Sequence, residues 1–152
     1  MPAPVIHPRL VSQLYTEAML LADEARGYFD EGGRAEREAL EPMARVAFSC
    51  ESLKVTTRLM HVIAWLLTQR AVAAGELALA DARAPSRRLG AAPYSDASAL
   101  AAMPPRARAL IDGSIALFRR TARLDATLDA SLDDGPAPSP ARDMIERLRG
   151  AF

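Results

Sequence analysis

His7, His61, Cys50 and three groups of charged side chains are the residues of this chain whose types could do chemistry. A Cys–His nucleophile needs the imidazole within hydrogen-bond reach of the thiol. Cys50 and His61 sit eleven residues apart in what reads as one helix. That is about 16 Å along the axis, which excludes pairing within the helix. A metal site needs clustered His, Cys or carboxylates, and here they are scattered, with no Glu-x-x-His or Cys-x-x-Cys spacing. His61 reads as a structural residue of an apolar helix, and Cys50 as a small core residue. Glu17, Asp23 and Glu24 could form a general acid/base pair; the simpler reading is a solvated face with salt links to the next helix. No Walker loop or nucleophile elbow occurs, and Gly32-Gly33 reads as a helix stop without the pattern of a phosphate cradle. The expectation is a protein that is not an enzyme, with no cofactor and no metal.

Two features point instead to binding. Glu51, Lys54 and Arg58 fall at three-four spacing and form a charged ridge, either an ordinary surface network or a binding ridge. Beside them Leu59, Val62, Ile63 and Leu66 form an apolar group that a small bundle need not cover, so they are expected at a homodimer interface. Trp65 is either core or an exposed anchor of the kind that concentrates binding energy.

The elements that must position these residues are helical. Val11, Leu14, Ala18, Leu21, Ala25 and Tyr28 recur at alternating three and four, giving a first helix from Pro8 to about Phe29. Pro42 suits a first helical position and Gly75 a stop, giving a second, long helix to about Ala74. Its seam is read as Cys50, Leu53, Thr57, Met60, Ala64, Leu67, Ala71 and Ala74. Glu76 to Arg83 could add a short helix; Pro85 to Tyr94 reads as loop, and Ser95 as a cap for one or two turns. The third helix starts at Pro104 or Pro105 and runs to about Leu132, burying Leu110, Ile111, Ser114, Ile115, Leu117, Phe118, Ala122, Leu124, Leu128 and Leu132. The expected fold is all-α, an antiparallel three-helix bundle with one long central helix, over residues 1–133. Residues 134–152 read as a linker and a short amphipathic tail, with Met144, Ile145, Leu148 and Phe152 on one side, flanked by Arg142, Arg147 and Arg149. The tail and the ridge together make the expected partner-binding set: Glu51, Lys54, Arg58, Trp65, Arg142, Met144, Ile145, Arg147, Leu148 and Phe152.

Composition agrees. The chain has 152 residues, half of them apolar, which suits one domain with a real core. Lys+Arg and Asp+Glu balance at 19 each, so there is no broad field for phosphate backbones and nucleic-acid binding is not expected. A single cysteine allows no internal disulfide, and the longest apolar run, Val62 to Leu67, is far too short for a bilayer. The expectation is a cytoplasmic protein without membrane contact.

The run Glu51 to Glu76, ESLKVTTRLMHVIAWLLTQRAVAAGE, resembles the central motif of the regulator of CtrA degradation family (RcdA, DUF1465). Leu14-Tyr15, Glu17 to Leu21, Glu24 to Arg26, and Tyr28-Phe29 support the resemblance, as do Leu110-Ile111, Ser114, Leu117 and Arg123 to Asp125. The resemblance implies a dimeric, non-catalytic three-helix adaptor that helps deliver substrates to the ClpXP protease in cell-cycle control. It further implies a response-regulator partner, a cyclic-di-GMP effector and cargo proteins. The competing expectation is a small helical transcription- or DNA-associated regulator, which would need a basic recognition helix that the balanced charge disfavours.

Overall fold

Pro8 opens α1 (Pro8–Gly27), where its missing N–H goes unneeded, and His7 Nδ1 accepts from the Arg9 amide at 3.1 Å. The expected seam is inside: Val11, Leu14, Ala18, Ala25 and Tyr28 are buried and Leu21 partly so. The helix widens into one π turn, Tyr28–Gly32, that brings Tyr28 and Phe29 against Phe48, with the Phe29 and Phe48 centroids 5.2 Å apart edge to face. A Cβ at Gly33 would stand 2.7 Å from the Tyr28 ring, so only glycine lets the ring lie there. The Tyr28 hydroxyl donates to Glu36 in the short charged helix α2 (Arg34–Glu38).

The central helix α3 runs Pro42–Ala73, about 48 Å at 1.5 Å per residue. It stops at Gly75, whose φ of 75° is the left-handed conformation glycine tolerates. The Gly75 amide donates to Val72 O at 3.1 Å and the Glu76 amide to Ala71 O at 2.9 Å, closing a Schellman motif.

Residues 6–133 and 140–151 are described by this computed structural model, with side-chain surroundings for 6–128 and 144–151. Beyond α3, the chain forms a strap over residues 74–104. It contains α4 (Leu79–Ala82), a 3-10 turn (Pro85–Arg87), an extended run over 88–95, and α5 (Ala97–Ala101). α5 is capped by Asp96, which accepts from the Ser98 amide at 3.3 Å, not by Ser95 as the sequence reading had it. α6 (Pro105–Asp133) completes the bundle, with Leu110, Ile111, Ser114, Leu117 and Leu128 buried and Phe118 and Leu124 half-buried. α7 (Pro140–Ala151) follows residues 134–139, which lie outside the described residues.

The fold is all-α, and no strand occurs among the described residues. Helix directions follow from the contacts. Arg70 lies over the Tyr15 ring while Phe48 meets Phe29, so α1 and α3 are antiparallel. Arg120 pairs with Glu17 and Arg106 lies over Tyr28, so α1 and α6 are antiparallel too. Arg58 meets Ser114 and Trp65 meets Asp125, so α3 and α6 are the parallel pair. A short turn would have made them antiparallel; the strap makes this possible by running back along α3, from Gly75 to the level of Glu51, before α6 begins.

A candidate protein-docking surface

α3 carries two stripes at strict three-four spacing. One is Phe48, Glu51, Val55, Arg58, Val62, Trp65 and Gln69; the other is Met43, Val46, Cys50, Leu53, Thr57, Met60, Ala64 and Leu67. The first is buried, at 0–4% exposure throughout. The second faces out: Met43 is 80% exposed, Leu53 69%, Met60 63%, Val46 58% and Leu67 46%, and Cys50 and Ala64 are exposed as well. The two faces are the reverse of those expected from the sequence. The expected seam is the outer stripe, and Cys50 is a surface thiol. The expected dimer set of Leu59, Val62, Ile63 and Leu66 lies in the bundle's own core, three of them buried and Ile63 partly buried.

The expected ridge is corrected for the same reason. Glu51 and Arg58 are each 1% exposed and Trp65 2%, so none forms a surface as it stands. Burying two charges is tolerated when their hydrogen-bonding groups are filled, and the strap and α6 fill them. Arg58 Nη1 donates to Ser114 Oγ at 3.2 Å, and Nη2 to Pro93 O at 3.1 Å and to Ser95 Oγ. Ser95 Oγ in turn donates to Glu51 Oε2. Lys54 Nζ, at the edge, reaches Glu51 Oε1 at 3.3 Å and Tyr94 O at 2.7 Å. Desolvation lowers the Arg58 pKa, and the Glu51 charge works against that. A second clasp lies one to two turns further on. Asp125 accepts from Trp65 Nε1 at 2.9 Å and from Arg88 Nε and Nη2 at 3.0 and 2.9 Å, a bidentate pair. These groups bind the strap to the helices; the sequence marks Ser95 only as a cap and Asp125 only as part of the family motif, because no local pattern pairs them across the fold.

What the molecule presents outward is the α3 stripe. Its hydroxyls make no demand on a partner: Thr56, Thr57 and Thr68 donate to Ser52 O, Leu53 O and Ala64 O of their own helix at 3.0–3.1 Å. Beside it, a cavity of about 320 Å³ opens between α1 and α3, lined by Ala25, Phe29, Val55, Met60 and the rim charges Arg26 and Asp30. On α7, Met144, Ile145 and Leu148 are 66, 51 and 57% exposed and Arg147 is exposed. Phe152 and the Arg142 side chain, also in the expected tail set, lie outside what is described. Among the described residues no group of three or more His, Cys, Asp or Glu could hold a metal, and no helix is long and apolar enough to cross a membrane.

Fold and surface together define an all-α bundle that leaves one apolar helix face uncovered. The chain belongs to the family described as protein of unknown function DUF1465, which matches residues 3–152. Among solved structures it is similar to the crystal structure of RcdA from Caulobacter crescentus CB15. The two share 32% identity over 78% of this chain and 90% of that one, with a TM-score of 0.60. No curated protein matches the sequence.

Proposed function

We propose that this chain is a non-catalytic cytoplasmic adaptor that works as a homodimer and helps deliver substrates to the ClpXP protease. The family resemblance supplies that role, together with a response-regulator partner, a cyclic-di-GMP effector and cargo proteins. The observation that carries the reading is the outer stripe of α3. From Met43 to Leu67 it presents apolar side chains over about 36 Å, on a helix whose opposite face already fills the core. A monomer gains nothing from leaving that surface in water. Pairing two copies removes it, at about 25 cal/mol per Å² buried, by knobs-into-holes packing that three-four spacing suits. The bundle, residues 1–133, is the dimerising body in this proposal. Residues 134–152 are the partner-seeking tail, in which Met144, Ile145, Leu148 and Phe152, flanked by Arg142 and Arg147, fold onto an apolar groove.

The test is reconstituted degradation of a cargo by ClpXP with the response-regulator partner present. Adding this protein should accelerate loss of the cargo, and Leu53→Asp with Met60→Asp should abolish the acceleration. A cargo degraded at the same rate with and without the protein would end the proposal.

A further inference from the structure

A second surface faces away from the α3 stripe and is built by the strap. Between residues 92–95 and α6 lies a notch of about 210 Å³. Its floor is Ile115 and Phe118, both half-buried, and its wall is Pro93 and Tyr94. Tyr94 is 81% exposed, and the exposed Arg119 closes the rim. This volume is below the range of about 300–1,000 Å³ typical of small-molecule sites. It is the size of one large apolar side chain.

Two observations say the notch is a made feature and not a packing defect. Its wall is fixed from behind, since Pro93 O accepts from Arg58 and Tyr94 O from Lys54, both on α3. A wall held this way is preformed, so an occupant is spared the cost of ordering it. Among the residues that line it, Arg119 is the one exposed charge. Arg120 is engaged with Glu17, whereas Arg119 makes no ion pair among the described residues. The nearest strap acid, Asp96, is not among the lining residues and accepts from the Ser98 amide and hydroxyl.

We propose that this notch docks an acidic peptide segment, seating one Leu or Phe side chain on Ile115 and Phe118 and laying a neighbouring carboxylate on Arg119. A planar guanidinium suits a carboxylate, and an exposed tyrosine adds apolar area at low entropic cost. That the peptide belongs to a delivered cargo rests on the adaptor reading; the binding itself does not.

The experiment is an amide-shift NMR titration of the full chain with acetyl-Asp-Glu-Phe-Glu-Asp-amide. Saturable shifts are expected at residues 92–95 and 115–119. Arg119→Glu should weaken binding about tenfold or more, since it reverses a contacting charge. Tyr94→Ala should weaken it several-fold, and Arg34→Glu at the far end should leave it unchanged. Both test side chains are exposed, so circular dichroism should show the fold intact. Equal binding of the peptide with glycine in place of phenylalanine would overturn the proposal, since only diffuse charge would then act. So would equal binding of acetyl-Lys-Arg-Phe-Arg-Lys-amide, shifts confined to the α3 stripe, or no saturable shift at millimolar peptide. Binding as expected without any effect of the protein on ClpXP would support the notch and remove the adaptor reading. Accelerated degradation without peptide binding would do the reverse.

Discussion

Arg58 is held by two elements that are distant in sequence, and its removal should show it. Arg58→Ala leaves Ser114, Pro93 O and Ser95 without their buried donor and Glu51 with only the part-exposed Lys54 as a charge partner, a loss of about 3 kcal/mol by the usual cost of breaking a buried charged network. Lys54→Ala, at a part-exposed edge, should cost no more than about 1 kcal/mol. Urea unfolding of the two variants checks the contrast; equal and small losses would mean the network contributes little. Tyr28 gives a pH signature. Burial first, then its hydrogen bond to the Glu36 carboxylate, raise the phenol well above its ordinary range. The folded state therefore holds that proton more tightly than the unfolded chain, where tyrosine titrates near about pH 10. The contribution is fully present below that pH and is lost as pH rises beyond it. Stability above about pH 10 should fall more steeply in the natural protein than in Tyr28→Phe, read by thermal melts across the alkaline range.

At the scale of elements, α3 explains both the success and the failure of reading the sequence. The helix boundaries were legible, because Pro42 and Gly75 are local signals and α3 ends at Ala73. The seam of α1 was legible because that helix has one apolar stripe. α3 has two, and the one without charged residues is outside. The inner stripe carries Glu51, Arg58 and Gln69, which look like surface residues to any periodicity argument. Glu51 and Arg58 become core residues only because Ser95, Pro93 and Ser114 arrive from 35–56 positions away to satisfy them. The candidate surface was missed for the same reason: its residues were spent on filling a core that others fill. The proposed pairing has a direct check. Leu53→Asp with Met60→Asp should turn a dimer into a monomer by light scattering while leaving the helical signal unchanged, since both side chains are more than half exposed. A natural protein that runs as a monomer at micromolar concentration would remove the dimer.

At the scale of the molecule, the number and class of long helices followed from the sequence, and their directions did not. Nothing local in residues 74–104 says that they run back along α3; the signal is a set of polar pairings across the fold, such as Arg88 with Asp125. The notch beside Tyr94 exists only because of that return. Deleting residues 135–152 should leave the thermal midpoint within about a degree or two, since Met144, Ile145 and Leu148 are exposed and surface groups contribute little to stability. The same deletion should abolish assisted degradation by ClpXP. A large fall in midpoint would make the tail part of the core.

The return path of the strap also sets an order of assembly as the chain leaves the ribosome. α1 and α3 emerge first and pair as a hairpin through contacts close in sequence, which form quickly. Their trough then waits with Glu51 and Arg58 two turns apart on the same face of α3 and not enclosed. The strap is synthesised next and brings Ser95; α6 comes later and brings Ser114. The strap's partners are thus delivered first, and Ser114 arrives with the apolar face of α6 that seals the trough from water. A nascent chain halted before residue 105 would display Val55, Val62 and Trp65 on its open side, and would be a client for chaperones that hold exposed apolar surface.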